Sequence, residues 1–113
     1  MKAKLTYVIK FVADMDKALR FHRDTLGLAL KFQSPEWSEF ATGDVTLALH
    51  AASAESPAGS VQLGYGLDDL KDAYARRAAL GLDFASAPKP LHGRLLATLR
   101  DSEGALVSVS GPI

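Results

Sequence analysis

The chain contains no cysteine, which excludes disulfides, thiolate metal sites and a cysteine nucleophile together. No apolar run approaches the ~18 residues that mark a membrane-spanning helix, and Lys10 interrupts the apolar stretch near the N-terminus. That stretch is followed by no small-residue cleavage pattern. The expectation is a soluble, cytoplasmic protein. Charge of one sign is missing as well: thirteen Lys and Arg balance thirteen Asp and Glu. No overall field therefore draws the chain to nucleic acid or to an anionic membrane. No Ser, His and Asp order suggests a triad, and no Gly-rich loop follows a strand to cradle phosphate. Gly64-Tyr65-Gly66 lacks the context of a dinucleotide fingerprint.

What is there is an ordinary globular composition, with 48% hydrophobic and 23% charged residues in a length of 113. A chain of this size buries roughly two thirds of its unfolded surface in one core, so a single domain over 1–113 is expected. Residues 4–12, KLTYVIKFV, are rich in β-branched and aromatic residues and read as a strand. Asp14 then caps a helix whose apolar positions Met15, Ala18, Leu19, Phe21, His22 and Leu26 run at helical spacing to Gly27. Three short strands follow at 28–33, 37–42 and 45–51, separated by Ser34-Pro35 and Gly43-Asp44.

Residues 52–59, ASAESPAG, read as a surface connector. The order then repeats: a strand at VQLGYGL, a helix from about Asp69 to Leu80, and strands at DFASA, RLLATLRD and ALVSVS. RDTLGL (23–28) and RAALGL (77–82) end the two helices with the same Leu-Gly-Leu. Internal duplication follows, with module one at about 1–51, the linker at 52–59 and module two at about 60–113. The fold class is α+β, two βαβββ modules whose sheets pack side by side, helices on one face and a concave cleft on the other.

FVADMDKALRFHRDTLGL resembles the opening signature of the vicinal oxygen chelate superfamily, the glyoxalase and bleomycin-resistance type. There a strand ends at Asp and a helix carries a Phe-Tyr pair before Leu-Gly; here His22 stands in the place of that Tyr. HGRLLATLRDSEGALVSV is similar to the family's closing segment, with Asp101-Ser102-Glu103-Gly104 where Asp-Pro-Asp-Gly is more common. The resemblance implies a curved mixed sheet around a cleft, a homodimer, and in the enzymatic members a divalent metal. Those members include glyoxalases, epimerases and extradiol dioxygenases, whereas bleomycin-binding proteins use the fold without a metal.

Carried onto this sequence, the resemblance places the metal-ligand positions at Tyr7, Ala48, Gln62 and Ser108. These supply no imidazole and no carboxylate, and a divalent transition metal asks for about three such donors. No metal or other cofactor is therefore expected. His50, two residues beyond Ala48 and on the same strand face, and Gln62 are the weak candidates for a relocated metal. The plain alternative for His50 is a histidine lining the cleft or the sheet edge; for His22 it is packing between helix and sheet, and for His92 it is solvent.

Period-two alternation puts Leu5, Tyr7, Ile9 and Phe11 on one face of the first strand, and the resemblance turns that face into the cleft. Thr46, Ala48 and His50, then Gln62, Gly64 and Gly66, then Ser108, follow by the same alternation, and Trp37 joins from the third strand. The candidate ligand-binding set is Tyr7, Ile9, Phe11, Trp37, Ala48, His50, Gln62, Gly64 and Ser108. Apolar, aromatic and nearly uncharged, it suits an aromatic or hydrophobic small molecule. Trp37 has the alternative of core or dimer interface, and the glycines that of tight strand packing. Three functions stay open: a metal-free protein sequestering an antibiotic or metabolite; a divergent enzyme, either a glyoxalase-like lyase or isomerase with a metal relocated around His50 and Gln62 or a metal-independent catalyst using Tyr7 and His50; and a structural or regulatory partner with a vestigial cleft.

Overall fold

Asp14 marks the end of the first strand and the start of the first helix, as its chemistry dictates. In the computed structural model, which describes residues 1–113, its carboxylate accepts the backbone N–H of Lys17 at 3.1 Å. That contact satisfies one of the free donors of the helix start. The strand before it is β1, Ala3–Val12, and the helix after it is α1, Met15–Arg20.

The sequence pattern extends this helix to Gly27, but the α-helix ends at Arg20 and continues as one π-helical turn, Phe21–Thr25. The side chain of His22 explains the change. Its Nδ1–H donates to the Ala18 carbonyl at 2.7 Å, the acceptor that the His22 backbone N–H would use in a regular helix. The ring packs 5.7 Å from that of Phe40, at the helix and sheet junction.

The remaining strands of the first module are β2, Ala29–Phe32, β3, Trp37–Ala41, and β4, Thr46–Ala51. The second module repeats the order with β5, Val61–Leu67, helices α2, Leu70–Ala75, and α3, Arg77–Leu80, then β6, Asp83–Leu91, β7, Arg94–Arg100, and β8, Leu106–Pro112. The class is α+β, as read from the sequence, with the βαβββ order present twice. The helix expected over 69–80 is divided at Arg76, whose φ of −99° and ψ of 16° leave the helical region. The strand expected at 83–87 runs on to Leu91 in spite of Pro88 and Pro90. Its position explains this, because β6 pairs only with β7, and an edge strand needs no outward N–H.

Packing groups the chain into two units, Thr6–Gln62 and Met1–Leu5 with Leu63–Ile113. In the first, the strand order is β2-β3-β4-β1, with β1 parallel to β4. Leu19 of α1 meets Phe40 and Leu49 on the helix side of this sheet, flanked by Val12, Leu28, Leu30 and Leu47. In the second, the order is β5-β8-β7-β6, with β5 parallel to β8. Leu70 and Ala73 of α2 pack there on Leu67, Leu95, Ala97 and Val109. Each fully buried Leu or Phe in these cores contributes about 1.5–3 kcal/mol of transfer free energy. No helix is long and apolar enough to cross a membrane.

Candidate functional site

In the first unit, the face opposite α1 is a grid of three strands read directly from the register. One row holds Trp37, His50 and Phe11; the next holds Glu39, Ala48 and Ile9; the third holds Ala41, Thr46 and Tyr7. Ala48 occupies the centre and is fully buried. Its small side chain lets the Tyr7 and Trp37 rings lean together across the grid, with centroids 6.1 Å apart. His50 lies between two aromatic neighbours, edge-on to Trp37 at 5.7 Å and tilted to Phe11 at 5.2 Å. Ile9 and Phe11, each 7% exposed, form the floor with Ala48. Tyr7, Trp37 and His50 are half-buried and supply the surface that a ligand would meet.

Local hydrogen bonds hold these rings. The Ser34 hydroxyl accepts the Trp37 N–H at 3.0 Å and donates to the Trp37 carbonyl at 2.5 Å, clamping the turn from which β3 begins. The connector returns to the end of β1, where the Gly59 N–H donates to the Phe11 carbonyl at 2.8 Å and the Phe11 N–H to that of Ser60 at 3.0 Å. His50 Nδ1 lies 2.8 Å from the carbonyl of Ala51. A carbonyl only accepts, so Nδ1 carries the proton and Nε2 of the neutral ring is an acceptor.

The face also carries a polar group that the sequence reading omitted. Glu39 Oε2 accepts the indole Nε1–H of Trp37 at 2.8 Å. Its Oε1 lies 3.7 Å from Lys31 Nζ, which donates to the Thr46 hydroxyl at 3.1 Å. The Glu39 side chain is only 19% exposed. A signal was present, since Glu39 stands two residues from Trp37 and a strand returns to the same face every second residue.

The remaining candidates are distributed differently. Gln62 ends the first unit and is half-buried. In the second unit Gly64 pairs with Ser108 and Gly66 with Ser110, while Ser108 also pairs with Thr98. The Ser86 and Thr98 hydroxyls are 2.9 Å apart. Opposite its helices this sheet thus carries Gly64, Gly66, Ser108, Ser110 and Thr98 beside the exposed Leu96 and Leu106, where the first unit places rings. His92 is exposed, at the φ of 49° demanded by the two-residue turn between β6 and β7.

A family model for the glyoxalase/bleomycin resistance protein/dioxygenase superfamily matches residues 4–109. The chain belongs to this superfamily. Among solved structures, a hypothetical protein from Bacillus halodurans C-125 is 18% identical with a TM-score of 0.83, covering 100% of this chain and 96% of that one. A superfamily member from Vibrio splendidus 12B01 is 18% identical with a TM-score of 0.67, covering 99% and 100%. The methylmalonyl-CoA epimerase of Streptomyces coelicolor is 16% identical with a TM-score of 0.73, covering 96% of each chain. At these identities the likeness is one of fold. No curated protein matches the sequence significantly.

Membership of the superfamily raises the question of a metal. No three His, Asp or Glu side chains lie close enough together to hold an ion. His50 has rings and Ala51 around it, and Glu39 is engaged by Trp37 and Lys31.

Proposed function

We propose that this superfamily member binds a small hydrophobic or aromatic molecule on the Tyr7, Trp37 and His50 face, without a metal, and sequesters it as an antibiotic or metabolite. The observation that carries the reading is the three-ring cluster over Ala48 at a position where the resemblance places metal ligands. A cation of the Zn or Ni kind needs about three strong donors, and the residues present do not fit one. Flat rings offer instead dispersion and edge-to-face contact worth roughly 0.5–1.5 kcal/mol per aromatic pair beyond area burial. A homodimer in the cytoplasm is part of the same proposal, and sedimentation analysis of the purified protein tests the dimer.

A second reading, a glyoxalase-like lyase or isomerase acting without a metal, draws on the half-buried Glu39 carboxylate and the free Nε2 of His50. Both are proton acceptors on the same face. The experiment that separates the readings uses the chain's single tryptophan, whose emission reports on this face. A panel of aromatic metabolites and antibiotics is titrated against it, with product analysis of every compound that quenches. Saturable quenching with unchanged ligand supports sequestration, and turnover supports the second reading. Stoichiometric binding of Ni, Zn, Mn or Fe(II), lost in His50→Ala, would overturn the metal-free proposal.

A further inference from the structure

The hydrogen bonds of the aromatic face define the polarity of what it receives. The proton on His50 Nδ1 is committed to the Ala51 carbonyl at 2.8 Å, a bond that fixes the tautomer as well as the ring's orientation. Nε2 therefore presents a lone pair, and it makes no hydrogen bond within the chain. No buried side-chain nitrogen or oxygen is left without a partner, so in this half-buried residue Nε2 is reachable from solvent. The Trp37 indole would ordinarily bring a donor to such a face, but its N–H is consumed by Glu39 at 2.8 Å. Glu39 itself only accepts. The indole thus has one acceptor on its own strand at Glu39 and another directly across at His50, its register partner.

We infer that the preferred ligand is a planar aromatic molecule carrying an O–H or N–H on the ring, and that His50 Nε2 accepts that hydrogen. This rests on the binding reading above and specifies its ligand class. Edge-to-face packing of His50 on Trp37 holds the acceptor beside the indole, so a ring lying on Trp37 and Tyr7 brings a substituent at its rim to Nε2. An ether in place of the hydroxyl leaves the same ring contacts but meets the lone pair with another lone pair.

The test compares 2-naphthol with 2-methoxynaphthalene. The ether is the more apolar compound, so hydrophobic transfer alone favours it. Binding is followed by the Trp37 indole cross-peak in ¹H–¹⁵N spectra and by the His50 ring ¹⁵N shifts. Expected is a preference of about tenfold for the naphthol, the scale of one net hydrogen bond, with the His50 Nε2 resonance moving as it accepts. The preference should vanish in His50→Phe, which keeps a packed ring, and return in part in His50→Gln, which restores an acceptor. If both compounds shift Trp37 with equal affinity, or the preference survives in His50→Phe, the inference falls while the aromatic binding face stands. If neither compound perturbs Trp37, the binding reading fails and takes the inference with it.

Discussion

Trp37 and Glu39 are joined side chain to side chain, the indole Nε1–H donating to Oε2 at 2.8 Å, two residues apart on one short strand. The bond orients the indole, and the partly buried carboxylate accepts it with little competition from water. Lys31 at 3.7 Å, itself half exposed, adds little. Glu39→Leu is expected to cost about 1–3 kcal/mol by leaving the indole N–H unpaired. It should also lower the emission anisotropy of Trp37. Glu39→Gln keeps an acceptor and should stay within about 1 kcal/mol of the parent. Denaturant titration of the three proteins checks both statements, and equal stability of the Leu and Gln variants would remove the orienting role.

Ala48 is the fulcrum of the face. It is fully buried at the centre of the grid, beneath the Tyr7 and Trp37 rings. Ala48→Leu adds three carbons where packing is closed, with an expected loss of about 1–3 kcal/mol. Because the extra volume separates the rings, the Trp37 emission should shift to the red and aromatic ligands should bind less well. A Leu variant with unchanged emission and affinity would show that the rings do not depend on the small residue.

Which parts of this arrangement were legible in the sequence follows from periodicity. Alternation in KLTYVIKFV and VTLALHA places Tyr7, Ile9, Phe11, Ala48 and His50 on a common face, and the structure gathers them with Trp37. The Asp14 cap, the Gly27 stop and the repeated βαβββ order were equally readable, because each depends on local chemistry. Glu39 shares the Trp37 face by the same alternation, but its pairing with Lys31 could not be read, because that partner comes from another strand. Lys31 reaches it only through the pairing of β2 with β3, whose register shifts between Leu30 and Phe32. The π-helical turn escaped for a similar reason: helical spacing does not reveal that His22 will donate to the Ala18 carbonyl.

The role of Gly111 is likewise invisible to strand patterning. Near the end of β8, a Cβ at this position would lie 2.8 Å from the Leu67 carbonyl oxygen and 3.2 Å from the Leu70 Cβ. Both belong to the β5 and α2 junction, and neither a backbone oxygen nor a Cβ can swing away as the tip of a flexible side chain would. Gly111→Ala should therefore destabilise by about 1–3 kcal/mol, the range for overpacking. Thermal melts of the variant should fall well below the parent, whereas equal melting would mean that β8 moves aside without cost.

His92 invites the opposite change. It sits at φ 49° ahead of Gly93 at φ 78°, and Leu91 pairs with Arg94 across the two-residue turn. Positive φ at both central positions defines the type I′ hairpin, for which Asn-Gly is the preferred pair. A non-Gly residue in the left-handed region costs about 1–2 kcal/mol, and Asn tolerates that region better than His does. His92→Asn is expected to stabilise by up to about 1 kcal/mol, a rise of roughly 4–8 °C in Tm at the upper limit for a domain near this size. Since His92 is exposed and outside the aromatic grid, the variant should bind aromatic ligands as the parent does. A stabilised variant with impaired binding would bring His92 into the site; an unchanged Tm would mean that the imidazole bears the turn geometry without penalty.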